Sequence, residues 1–230
     1  MKFDESLVSN IANNFLIKDS GESGLETSFI EICRFLNDNP DTFSSKKKFD
    51  FTDEKLIQIL AKKFFSAYRH SDFPVEPTTI PDDMVSIVMQ FAYGYSLDDS
   101  TRIKIEHKHS MSAENCVGAL LERYIDSILR KEGWHWCCGS FVKAVDFISM
   151  DKNGLWLALQ VKNRDNTENS SSSAIRNGTE IQKWFRSFSK KGGTNWDKFP
   201  VVLKNKNLTE EGFVNFVSTY LQKEKARLKR

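Results

Sequence analysis

Two neighbouring segments rich in β-branched and aromatic residues constrain the fold of this chain most strongly: 141–149 (FVKAVDFIS) and 155–162 (LWLALQVK). Such residues favour β-strands, and the intervening MDKNG carries the Asn-Gly signal of a tight turn. The pattern therefore predicts an antiparallel hairpin that turns about the Asn-Gly pair or one residue earlier. In that register, Asp146 lies beside Gln160 of the facing strand.

Helices are predicted on both sides of the hairpin. Ser112 is a suitable N-cap for a helix that ends at Gly133, and its apolar positions have helical spacing: Val117, Leu121, Tyr124 and Ile128. A Thr209 cap precedes a second stripe, expected to pack on the sheet: Phe213, Phe216, Val217, Tyr220 and Leu221. Two earlier stripes have the same spacing: Leu7, Val8, Ile11, Phe15 and Leu16, then Leu56, Leu60, Phe64 and Tyr68. Helix, hairpin and helix in this order predict an α+β fold.

The composition is that of a globular chain in a reducing compartment. Of 230 residues, 40% are apolar and 28% are charged, which is enough apolar material for a core. No stretch approaches the roughly 20 consecutive apolar residues that cross a bilayer, and the opening MKFDESLVSN is too acidic for a signal peptide. The four cysteines lack paired spacing, so neither disulfides nor a zinc site is predicted. We therefore expect a cytoplasmic protein without membrane partners.

The domain organisation follows from the change in pattern after about residue 110. We expect residues 1–110 to form a mainly helical N-terminal region and residues 111–230 to form the core with its recognition segment. The N-terminal region should pack on this core, so that both belong to one structural unit.

The net charge of +2 hides an asymmetry along the chain. Residues 1–140 carry 16 basic and 22 acidic side chains, whereas residues 141–230 carry 17 basic and 9 acidic ones. A phosphate-bearing partner would therefore meet the C-terminal part. A basic run such as KEKARLKR is also typical of a solvated helix end, so charge alone does not decide for nucleic acid.

The hairpin brings together groups that suit phosphodiester hydrolysis. Gln160 and Lys162 are two residues apart on one strand, so both project to the same face, next to Asp146. A carboxylate and an amide oxygen can hold Mg²⁺, while the lysine orients or activates the attacking water. The same D…QxK pattern also occurs in ordinary exposed hairpins, so the spacing by itself does not establish a site.

Longer stretches of the sequence resemble known nucleases. DFISMDKNGLWLALQVK resembles the PD-(D/E)XK nuclease core in a variant with glutamine in place of the second acid, and the preceding helix carries an acid in GALLERYI. The segment QVKNRDNTENSSSSAIRNGTEIQKWFRSF resembles the SinI family of type II restriction endonucleases. This resemblance is strong over about residues 112–200 and weak before them.

The resemblance implies a restriction-endonuclease-like core, in which a central mixed sheet is flanked by helices, with a helical N-terminal region. It also implies a magnesium-dependent homodimeric bacterial enzyme that cuts double-stranded DNA at GGWCC, W being A or T. In such a restriction-modification system, a cognate DNA methyltransferase is the functional rather than the physical partner.

Residue by residue, the resemblance assigns catalysis to the hairpin and to the helix before it. Asp146 matches the core aspartate, Gln160 the position of the second acid and Lys162 the catalytic lysine. The implied metal ligands are Asp146, Gln160 and the backbone carbonyl of Val161. Because a neutral amide brings no charge to the metal, we expect Glu122 to add a carboxylate. The alternative for Glu122 is a helix-surface residue paired with a neighbouring arginine.

The polar segment after the hairpin is expected to contact DNA. Arg176 is the first choice for a major-groove contact to guanine, with Asn177 beside it. The other residues expected to bind DNA are Arg164, Asn169, Ser171 and Ser172, and those expected to contact phosphates are Lys183, Arg186, Lys190 and Lys191. The alternative is that Ser, Asn and Gly richness marks only a surface loop.

Three functions are compatible with the sequence. A site-specific endonuclease is the main hypothesis, and a repair or junction nuclease on the same core is the second. The third is a DNA-binding module in which Gln160 marks a decayed site that no longer cuts. Magnesium-dependent cleavage separates the enzymes from the module, and sequence-specific ends separate the two enzymes.

Overall fold

The structure, a computed structural model, describes most of the chain. The described residues are 2–17, 22–45, 50–78, 80, 82–165, 181–201, 203 and 208–229.

The contacts within the chain define two units. The first, here called the sheet unit, comprises Met1–His70 and Leu121–Phe216, and the second, the helical unit, comprises Ser71–Leu120 and Val217–Arg230. Residues before position 71 thus group with the sheet. The division expected near residue 110 stays a prediction.

The sheet unit begins with helices that share an apolar layer: α1 (Glu5–Phe15), α2 (Leu25–Asp38) and α3 (Glu54–Arg69). The side chains of Asp4 and Asp53 accept hydrogen bonds from N–H groups in the first turns of α1 and α3, as N-caps do. Val8 and Phe64, from the predicted stripes, are fully buried, and the Phe64 ring packs on that of Phe29 in α2.

The sheet itself is mixed, in the order β1 (His135–Trp136), β2 (Phe147–Met150), β3 (Trp156–Arg164) and β4 (Gln182–Ser187). Strand β2 runs antiparallel to β1 and β3, whereas β4 runs parallel to β3. Phe147 pairs with Leu159 and Met150 with Trp156, which confirms the predicted hairpin register. The α+β prediction is confirmed, and the mixed sheet is consistent with a restriction-endonuclease-like core.

Aromatic side chains pack on both faces of the sheet. On one face, the Phe35 ring of α2 meets Trp156 edge-on, with 5.3 Å between centroids. On the other face, Trp184 of β4 packs against Trp196 and Phe199, each with 4.9 Å between centroids. Trp156 and Trp184 occupy opposite faces because alternate residues of a strand point in opposite directions.

Helices α5 (Leu97–Leu129) and α6 (Glu210–Leu228) run through both units. The prediction that α5 begins at Ser112 is wrong, since the Ser112 hydroxyl lies within the helix and donates to the carbonyl oxygen of Val75 at 3.0 Å. The predicted stop is close to the observed end, because a short 3-10 turn leads to Gly133, whose φ is 81°. The predicted cap of α6 is confirmed: Thr209 Oγ1 accepts the N–H of Gly212 at 3.0 Å.

The helical unit also contains α4 (Asp83–Tyr93). The Asp82 side chain accepts the N–H of Met84 at 2.9 Å, and Gly94 ends the helix with a φ of 74°. No helix in the described ranges is both long and apolar enough to cross a membrane.

Candidate active site

Asp146 lies immediately before β2, beside the middle of β3. Its N–H donates to the carbonyl oxygen of Leu159 at 2.9 Å, and its Oδ2 accepts the backbone N–H of Val161 at 2.7 Å. Its own carbonyl oxygen accepts the N–H of Cys137 at 2.8 Å. Contacts on both sides therefore hold Asp146 next to the stretch of β3 that contains Gln160.

The loop that leads to Asp146 has a strained backbone. Ser140 and Ala144 have φ angles of 58° and 57°, which side-chain-bearing residues rarely adopt. Gly139 has a φ of 104°, and a Cβ there would lie 2.8 Å from the Phe141 ring, so only glycine fits. This loop fixes the entry of the chain into β2 and thereby the position of the Asp146 carboxylate.

Gln160 and Lys162 lie on β3 beside this carboxylate. Gln160 is 2% exposed, whereas Lys162 is half-buried, and the positive charge of Lys162 acts on Asp146. On the far side of β3, Lys183 of β4 is in parallel register with Gln160. Because paired residues in a sheet share a face, Lys183 adds a second cation on the face of Gln160.

The pKa of the Asp146 carboxyl is raised to about 6. Burial is the main cause, and the hydrogen bond from Val161 and the charge of Lys162 both oppose it. Asp146 is thus ionised at pH 7, although its surroundings disfavour the charge. A cation bound at its carboxylate would relieve that cost.

Glu122 projects from α5 toward β1. The indole N–H of Trp136 donates to Glu122 Oε2 at 2.8 Å, which orients the carboxylate. The pKa of the Cys137 thiol is raised well above its usual value, by burial first and then by Asp146, Cys138 and Glu122. Cys137 is therefore within electrostatic range of both carboxylates, and no pattern in the sequence predicts this neighbourhood.

The oxygen atoms around Asp146 fit a hard cation. An extended residue points its N–H and C=O to the same edge of the strand, so the Val161 carbonyl faces the same edge as its N–H, toward Asp146. Carboxylate, backbone carbonyl and amide oxygens are the ligands that Mg²⁺ prefers. Within the described part of the chain, no group of three His, Cys, Asp or Glu side chains is placed to hold a metal. Amide, backbone and phosphate oxygens would therefore have to complete its shell.

Apart from Lys183 and Arg186, the residues expected to contact DNA fall into two sets. Arg164, Lys190 and Lys191 are exposed at the end of β3 and after β4, and the Lys191 ammonium lies 3.8 Å from the Phe188 ring centroid. The other set lies outside the described residues: Asn169, Ser171, Ser172, Arg176 and Asn177.

The guanidinium of Arg186, another basic candidate, is held by side chains of the protein itself. It donates to Asn163 Oδ1 at 2.9 Å and to Glu210 Oε1 at 2.5 Å, and it lies 5.2 Å from the Phe213 ring centroid. These contacts connect β3, β4 and the start of α6. Arg186 therefore has a structural role within the sheet unit.

Known proteins resemble this chain over nearly its full length. The sequence profile of the family described as SinI restriction endonuclease matches residues 8–223. The type II restriction enzyme Eco47I of Escherichia coli is 48% identical over 204 residues, which cover 86% of this chain and 88% of that protein. The type II restriction enzyme SinI of Salmonella infantis is 45% identical over 204 residues, with the same two shares. The profile match and both identities lead to one conclusion: the chain belongs to the SinI restriction endonuclease family.

Proposed function

We propose that this type II restriction endonuclease cuts double-stranded DNA at GGWCC by Mg²⁺-dependent phosphodiester hydrolysis, with Asp146, Gln160 and Lys162 at its centre. One observation carries the proposal: Asp146 Oδ2 accepts the backbone N–H of Val161 at 2.7 Å. Val161 lies between Gln160 and Lys162 on β3, so the carboxylate is next to both. The target sequence comes from the resemblance to the SinI family.

The metal would be held by Asp146 Oδ1, the Val161 carbonyl and the Gln160 amide oxygen, with Glu122 as the additional carboxylate. When bound, Mg²⁺ supplies charge stabilisation at the scissile phosphate and an acidified water. Trp136 keeps the Glu122 carboxylate oriented, as groups behind metal ligands commonly do.

The lysines act on the DNA and on the attacking water. Lys162 would orient the water for in-line attack and stabilise the charge that develops on the phosphate oxygens. Lys183, in register with Gln160, would neutralise a neighbouring phosphate. Gln160 brings no negative charge, so the site repels the DNA backbone less than one with a second acid there.

The enzyme would act as a two-fold homodimer. GGWCC presents nearly the same half-site twice, and each chain supplies one Asp146 centre, so two chains are needed to cut both strands. The central W pair lies on the two-fold axis, where a symmetric protein treats A·T and T·A alike. It rejects G·C through the guanine amino group or the stiffness of the central step. The host's own sites would need a cognate methyltransferase.

A cleavage assay on the full-length chain tests this function. We expect Mg²⁺ to produce double-strand ends at every GGWCC of a sequenced plasmid, and Asp146→Asn to leave the plasmid intact. A duplex with G·C at the centre is the matched substrate control. Cleavage without sequence preference would favour a repair or junction nuclease. Specific binding without cleavage in Mg²⁺ would favour a non-cleaving module.

A further inference from the structure

Helix α4 exposes most of its large apolar side chains and has polar residues on its inner side. Ser86 is 6% exposed, and Gln90 is half-buried, with its Nε2 donating to the Ser86 carbonyl oxygen at 3.2 Å. In contrast, Val88 is 56% exposed and Phe91 is 88% exposed. A helix in a folded protein normally has the opposite arrangement.

The outward stripe has the spacing of a buried face. Met84, Ile87, Val88 and Phe91 stand at positions i, i+3, i+4 and i+7, the series that packs against another helix. If a large side chain exposes about 150–250 Å² in full, these four side chains together expose on the order of 500 Å². That is more than half of the roughly 800 Å² that each partner buries in a stable interface, and exposed residues beside the stripe, such as Val85, would add to it.

We propose that this stripe of α4 is the homodimer interface, packed antiparallel on α4 of a second copy across a two-fold axis next to Val88. The proposal rests on the homodimer of the proposed function. The spacing i, i+3, i+4, i+7 reads the same in both directions, so the stripe can pack on its own reversed copy. Met84 then meets Phe91 of the partner subunit, and Ile87 meets Val88 of the partner subunit, as an isologous contact requires.

The charges around α4 favour a protein partner over a phosphate-bearing one. Asp82, Asp83, Asp98 and Asp99 stand at the two ends of the patch, and Lys104 forms an ion pair with Asp83 at 3.4 Å. Arg102 forms an ion pair with Asp99 at 3.3 Å, so four carboxylates stand against two cations, and this net negative charge disfavours anionic lipid and DNA. A second copy can bury the apolar centre and leave these carboxylates in water.

A charge-swap experiment at the axis tests the interface. In sedimentation velocity without DNA, the wild-type chain should be a dimer, and Val88→Asp and Val88→Lys should each be folded monomers, because two like charges are then buried close to each other on either side of the axis. Mixed in equal amounts, the two variants should form dimers again, since Asp then faces Lys. Ile59→Asp, at an exposed apolar position of α3, is the matched control and should remain dimeric.

The outcomes separate this surface from the proposed function. Dimeric Val88→Asp, or two monomeric variants that fail to associate when mixed, would overturn the α4 interface, whereas GGWCC cleavage by the wild type is judged independently. If either charged variant fails to fold, Val88→Cys decides. Under oxidation it should form a disulfide-linked dimer, since the four described native cysteines are buried. No link in Val88→Cys, or an equal link in Ile59→Cys, would overturn the proposal.

Discussion

The carboxylate of Asp146 accepts the backbone N–H of Val161 at 2.7 Å, at the point where β2 has not yet begun to pair with β3. The side chain of Asp146 thus accepts a β3 hydrogen bond that a backbone carbonyl of the neighbouring strand would otherwise accept. The bond fixes the carboxylate between Gln160 and Lys162. It also makes Asp146 part of the fold as well as part of the site, which decides how its variants should behave.

Asp146→Asn should stabilise the metal-free protein at alkaline pH. Burial raises the pKa of this carboxyl from 3.8 to about 6, so the folded state favours the protonated form. Its favourable contribution to the free energy of unfolding is therefore complete below pH 4 and is lost as the pH rises through 6. Asparagine keeps an acceptor for Val161 without the charge. In EDTA at pH 8, the variant should gain about 1–3 kcal/mol in urea unfolding, and the gain should vanish near pH 4.

Asp146→Ala is the informative contrast. It leaves the Val161 N–H without its acceptor, which costs about 1–3 kcal/mol if the group stays buried. If Asp146→Asn were less stable than the wild type at pH 8, the buried charge of Asp146 would not be destabilising.

Lys162→Met should abolish cleavage without loss of folding or DNA binding. The methionine keeps most of the apolar stem but removes the cation that would orient the water, and we expect a loss of about 10²–10⁴-fold in single-turnover rate. The matched control is Lys152→Met in the exposed hairpin turn, which should cut normally. Similar losses in both variants would point to a general effect of charge.

Glu122→Gln tests whether this residue binds metal or only supports Trp136. The amide oxygen can still accept the indole N–H, so the melting temperature should hardly change. Loss of a carboxylate ligand should raise the half-saturating Mg²⁺ concentration about tenfold or more. Trp136→Phe is the control for the hydrogen bond alone. An unchanged Mg²⁺ requirement in Glu122→Gln would leave Glu122 with a structural role.

The sequence predicted the hairpin register because its signals are local, but β2 begins at Phe147 rather than at residue 141, and five residues connect the strands instead of a tight two-residue turn. It did not predict β1 and β4, since a two-residue strand has no pattern and only Trp184 of β4 is buried. Gln182–Ser187 therefore looked like a polar recognition segment. The hydrogen bond from Trp136 to Glu122 was not predicted either, because it joins β1 to α5 and these elements meet only once the sheet has formed. The start of α5 was predicted wrongly because serine favours N-caps, whereas the Ser112 hydroxyl donates to Val75, a partner distant in sequence.

Arg186 and Lys190 should respond differently to substitution. Arg186→Met breaks contacts to Asn163 and Glu210 and should lower the free energy of unfolding by about 1–3 kcal/mol. Lys190→Met removes an exposed charge and should leave stability unchanged. The DNA affinity of Lys190→Met should depend less on salt: the slope of log affinity against log salt concentration should be shallower by about one unit, as expected for one lost phosphate contact. A reduced slope with unchanged stability for Arg186→Met would return it to the DNA-binding set.

His135 should make the fold sensitive to acid. It lies in β1 with its Nδ1 3.1 Å from the Ser28 hydroxyl, and burial, followed by the charge of Arg130, lowers its pKa to about 4. The unfolded chain binds this proton near pH 6.5 but the folded chain only near pH 4, so stability is lost as the pH falls through that window. The Asp146 contribution to stability has the opposite sign over pH 4–6, so the histidine has to be isolated by substitution.

Between pH 7 and pH 4, His135→Gln should lose about 2–3 kcal/mol less free energy of unfolding in urea than the wild type does. Parallel pH curves for His135→Gln and the wild type would show that His135 titrates alike in both states.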